Sequence, residues 1–147
     1  MNTRLQLDIA AVGEVGLIFL NGDLLETVLI DKVGHVDYVF EDFNQLKRVV
    51  MKIERLNPSL ELACILWKPT YENDEVAEPI VCGNQLPTEG WGYSPMNGAM
   101  IGAYKGENTV FAREDGPTSN YFPIRNSANE IVGFMELLSG VENRVDI

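Results

Sequence analysis

The residues of this chain able to do chemistry are few and dispersed. There is a single histidine, His35, between two helical stretches. It would be the only base for a Ser–His–Asp triad, and no G-x-S-x-G accompanies it. His35 therefore reads as a solvated loop residue, dispensable for any activity. Cys64 and Cys82 are far apart in sequence with no third thiolate, whereas metal sites show His, Cys or carboxylate ligands clustered at short spacing. No Walker or dinucleotide-binding pattern occurs, and Gly98 and Gly102 fall in a predicted helix. Asp74-Glu75 and Glu114-Asp115 are paired carboxylates, but both pairs fall in predicted turns and read as charged turns. Glu136 stands in an otherwise apolar strand, where alternation can point it outward. No catalytic residue, metal site or cofactor site emerges, and the expectation is a non-enzyme.

The elements that would position these residues change character near Pro58. Residues 2–33 are predicted helical, with Leu5, Ile9, Val12, Leu17 and Leu20 recurring at roughly helical spacing. Asn21-Gly22 interrupts this run, and Asp23 offers a cap for a second stretch, 24–32. Asp37 caps a stronger helix over 38–56, whose stripe is Val39, Phe43, Leu46, Val50 and Ile53. Asn57-Pro58 stops it. Beyond lie predicted strands at 60–67 and 78–82, a glycine-rich loop at 83–93 and a short helix opened by Ser94-Pro95. A strand at 109–113 follows, then a closing hairpin of 119–125 and 130–138. The predicted fold is α+β: an antiparallel sheet of about five strands, long N-terminal helices on one face, and the loop and short helix over the other. One domain spans 1–147, helical over 1–56 and sheet over 59–138.

Bulk properties narrow the function. The chain has 147 residues, 46% of them hydrophobic, and a formal net charge of -11. A single folded core fits this length. Nucleic acid is disfavoured, because phosphate backbones need clustered Lys and Arg. No run of ~20 apolar residues could span a membrane, and no signal peptide is visible.

In the closing hairpin Phe122-Pro123-Ile124-Arg125 leads to a polar turn, 126–130, and then Ile131-Val132-Gly133-Phe134-Met135-Glu136-Leu137. This pattern resembles the end of PAS, GAF and Cache sensory domains. Asn129 stands where these families usually carry a turn glycine. The order of elements is most similar to a single Cache domain, the extracytoplasmic sensor of bacterial chemoreceptors, histidine kinases and cyclic-nucleotide signalling enzymes. In that family a long N-terminal helix packs on the sheet, and a short helix and loop frame a ligand pocket before the last three strands.

The resemblance implies a small-molecule sensor on the periplasmic side of the inner membrane, held by flanking spans outside this chain. It also implies a homodimer through the N-terminal helix. The ends of the chain fit an excised domain and equally a small free-standing protein. A free-standing GAF- or PAS-like module, or a phage-type inhibitor inside the cell, is the alternative reading; a hydrolase using His35 is a third.

Trp91, Tyr93, Tyr104, Phe111, Arg113, Asp115 and Tyr121 lie in the segment that frames a Cache pocket. Tyrosine and tryptophan offer an apolar face and a donor. Arg113 can clamp a carboxylate through two parallel hydrogen bonds, and Asp115 can bind an amine. A small carboxylate, including an amino acid, is the expected ligand. A simple hairpin folded at Asn73 would bring Cys64 opposite Cys82, which allows a disulfide in an oxidising compartment. Two buried free thiols are the alternative.

Overall fold

Asp8 opens the first helix. Its carboxylate accepts from the Ala11 amide at 2.8 Å, the N-cap contact that satisfies one orphan donor of the first turn. This is α1, Ile9–Phe19, in a computed structural model that describes residues 7–31, 36–69, 75–83 and 94–140. The break at Asn21 is real, but the second cap is Asn21 itself. Its Oδ1 accepts from the Leu24 amide at 3.1 Å, so α2 runs Gly22–Asp31 with Asp23 inside the first turn rather than capping it. α3 spans Val36–Glu54 and buries Leu46, Val50 and Ile53 from the expected stripe. A 3-10 turn, Pro58–Leu60, ends the helical half as Asn57-Pro58 requires.

Among the described residues the sheet has six strands, where about five were expected. They are β1 (Ala63–Pro69), β2 (Val76–Cys82), β3 (Ser94–Pro95), β4 (Thr109–Phe111), β5 (Thr118–Arg125) and β6 (Ile131–Ser139). Their order is β3-β2-β1-β6-β5-β4, with every pair antiparallel. The extra strand is the correction to Ser94-Pro95. That dipeptide does not open a helix. It pairs with Val76 and Ala77 of β2 at the sheet edge, where a proline without an N–H is tolerated. Asn97 caps the short helix α4 (Gly98–Tyr104) instead, accepting from the Met100 amide at 2.8 Å.

Side-chain alternation divides the molecule into two cores. Cys64 and Leu66 of β1, Phe122 and Ile124 of β5, and Met135 and Leu137 of β6 pack with Val12, Leu25, Leu46, Val50 and Ile53 of the helices. On the opposite face, Ile65 and Trp67, Tyr121, Phe134 and Leu138 pack with Met100 and Ala103 of α4. Helices α1 to α3 therefore share one face, and α4 covers the other. The central strand β6 is buried on both sides from Val132 to Leu138, which explains its nearly continuous apolar run. No helix among the described residues is long and apolar enough to cross a membrane.

Candidate functional site

The one charged side chain in the middle of β6 does not point to solvent. Glu136 is 3% exposed and lies on the α4 face, between Phe134 and Leu138. Its register partners are Ile65 of β1 and Tyr121 of β5. Trp67 Nε1 donates to Glu136 Oε1 at 2.8 Å, and Ser119 Oγ donates to Oε2 at 2.5 Å. Each carboxylate oxygen thus has a buried donor, as a charge in a low-dielectric interior requires.

The row continues outward. Arg113 Nη1 donates to Ser119 Oγ at 3.0 Å and to the Pro117 carbonyl at 2.9 Å. The guanidinium lies 4.8 Å above the centroid of the Phe111 ring, a cation–π arrangement. Ser119 therefore bridges an exposed cation to a buried carboxylate. Asn97, the cap of α4, and Ser119 are polar neighbours of the Tyr121 hydroxyl. Burial first, and then the Glu136 charge, push the Tyr121 hydroxyl above its ordinary pKa. Trp67 and Phe134 stack with centroids 6.4 Å apart, and Tyr121 meets Phe134 edge-on at 5.7 Å. The result is an aromatic wall with an ordered line of polar groups along it.

Of the residues singled out from the sequence, Phe111, Tyr121 and Tyr104 share this face. Arg113 lies just beyond β4, not within the expected strand 109–113, and turns back over Phe111. Asp115 is exposed in the following turn with Glu114, and it enters none of the contacts of the row. Trp91, Tyr93 and His35 lie outside the described residues. Both cysteines are free and buried, the second of the two expected alternatives. The register sets Cys82 opposite Ile65 rather than Cys64. Cys64 consequently packs in the helix-side core and Cys82 in the α4-side core. Burial, then Glu54, Glu136 and Cys82, hold the Cys64 thiol well above its ordinary pKa.

Sequence reasoning missed Trp67, Ser119 and Asn97, and it left Glu136 facing outward. The available signal was phase: Glu136 is two residues from both Phe134 and Leu138, so it had to share their face. Among the described residues no three His, Cys, Asp or Glu come together to hold a metal ion. No protein-family model and no curated protein matches this chain.

Proposed function

We propose that this domain is a non-catalytic small-molecule sensor of the single Cache type, serving a bacterial transmembrane receptor on the extracytoplasmic side. The observation that carries the reading is the row Arg113–Ser119–Glu136–Trp67, laid along the sheet face that α4 covers. Three further features support it. A helix layer packs on the opposite face of the sheet, α4 precedes the three strands β4 to β6, and β5 and β6 pair as a hairpin, in keeping with the resemblance.

The ligand is a small organic carboxylate, an amino acid included. Among the described residues the hydrogen bonds of the Arg113 side chain all run through Nη1, and its Nε and Nη2 have no hydrogen-bond partner there. Those two N–H groups suit a bidentate carboxylate contact, with Phe111 as an apolar neighbour. Binding acts on a receptor by favouring one arrangement of sheet and helices over another.

A thermal-shift screen of organic acids, amino acids and amines on the purified chain tests this. A ligand at ~100 times its Kd adds about 2.7 kcal/mol of apparent stability. The hit is expected to vanish in Arg113→Ala, with the variant's fold checked by circular dichroism. Undiminished binding in that variant would remove the carboxylate clamp, and no hit in any of the three classes would remove the sensor reading.

A further inference from the structure

The tip of the β5–β6 hairpin is fastened to α2. Asp23 Oδ1, in the first turn of α2, accepts from the Ser127 amide at 2.9 Å and from the Ser127 hydroxyl at 3.2 Å. One turn further along the helix, Glu26 Oε1 accepts from Asn126 Nδ2 at 3.4 Å. More than 95 residues of chain lie between the partners in each of these contacts. Beneath them the packing is close. A β-carbon at Gly22 would overlap the carbonyl oxygen of Arg125, and one at Gly133 would lie 3.2 Å from Leu25 Cδ2.

The two parts of this contact differ in kind. Gly22 and Leu25 are buried against the hairpin and form a tight pivot. The Asp23–Ser127 bonds are exposed, and exposed hydrogen bonds exchange readily with water at small net cost. A buried pivot thus stands beside an exposed latch.

The same hairpin carries the polar row on its other face. Gly133, which Leu25 covers, is followed by Phe134, which stacks on Trp67; Trp67 in turn holds Glu136. We infer that the α2–hairpin contact is the joint that ties the position of the helix layer to the Glu136 face across the sheet. In signalling terms this deepens the sensor reading and rests on it. The mechanical coupling itself is testable without any ligand.

The probe is hydrogen exchange by NMR on the full chain. It follows the α2 amides and the Trp67 indole N–H, identified by its loss in Trp67→Phe. Asp23→Ala is expected to speed exchange at both places roughly five-fold or more, beyond any change in global stability. Asp23→Asn keeps an acceptor oxygen and is expected to restore slow exchange. Asp8→Ala removes the cap of α1, a similar loss at another helix, and is expected to leave the indole unmoved. If Asp23→Ala fails to fold, Ser127→Ala replaces it, with a smaller effect in the same direction. Faster α2 exchange with the Trp67 indole unchanged would overturn the joint. So would an equal indole response to Asp8→Ala. Neither result bears on whether a ligand binds, which the thermal-shift screen decides.

Discussion

Trp67 and Glu136 meet across the β1–β6 ladder, indole nitrogen to carboxylate oxygen at 2.8 Å, although 69 residues separate them in the chain. Neither could be buried here without the other or a substitute. The carboxylate needs donors, and the indole N–H needs an acceptor. Glu136→Ala leaves two buried donors, on Trp67 and Ser119, without their acceptor. The expected cost is about 3 kcal/mol, and Trp67→Phe is expected to cost about 1–2 kcal/mol. Because the two act on one contact, the double variant should cost less than the sum. Urea unfolding of the four proteins measures this, and strict additivity would mean that the contact contributes nothing.

Two glycine substitutions should move stability in opposite directions. Gly22→Ala drives a methyl into the backbone carbonyl of Arg125, which cannot yield as a flexible side chain would. A loss of about 1–3 kcal/mol is expected. Gly98→Ala, in the first turn of α4, meets nothing within 4 Å. It should gain about 0.5–1 kcal/mol through helix propensity and a less free unfolded chain. Thermal unfolding of the two variants compares them directly.

Alkaline pH should weaken the fold. Tyr121 is held above its ordinary 10.0 by burial and then Glu136, and Cys64 well above 9.0 by burial and neighbouring carboxylates. For both, the unfolded chain loses its proton first. Their contribution is complete below the ordinary pKa and is lost as pH rises from there toward the folded-state value. Lys68 works the other way: burial lowers its pKa from 10.5, so its penalty shrinks as pH rises. With two groups against one, the urea midpoint should fall between about pH 8.5 and 11. The fall should be shallower above about pH 10 in Tyr121→Phe and shallower from about pH 9 in Cys64→Ala. A flat midpoint across that range would contradict the assignment.

The thiols offer a chemical check. Cys64 is fully buried, and only the thiolate alkylates quickly. Without reductant, both cysteines should take up iodoacetamide in denaturant, while Cys64 stays protected in the folded protein. An intact mass two hydrogens lower, with no alkylation in denaturant, would instead indicate a bridge and a different β1–β2 register.

Much of the architecture was legible because it rests on local rules. Asn57-Pro58 ended the helical half, the stripe of Leu46, Val50 and Ile53 set the buried face of α3, and the polar turn at Asn126 to Asn129 set the last hairpin. Asn129 takes a φ of 65°, the left-handed backbone that asparagine tolerates. What stayed hidden depended on register. A bulge between Leu66 and Trp67 shifts the β1–β2 pairing, so counting outward from Asn73 mispaired the cysteines. The role of Glu136 was equally non-local, since its donors come from β1 and β5. Ser94-Pro95 misled because serine before proline suits a helix start, yet pairing with β2 won.

That short pairing has a consequence for the protein in concentrated solution. A sheet's outermost strand exposes unpaired N–H and C=O groups, a template on which another chain can extend the ladder. Among the described residues one border is a two-residue strand containing a proline, and the other, Thr109–Phe111, is three residues long. Neither offers enough backbone to seed a neighbour's strand. The long apolar strands β1 and β6, which would be the most adhesive if bared, sit innermost. The arrangement should keep the folded protein from polymerising edge to edge, and Pro95→Val is the change that would begin to undo it.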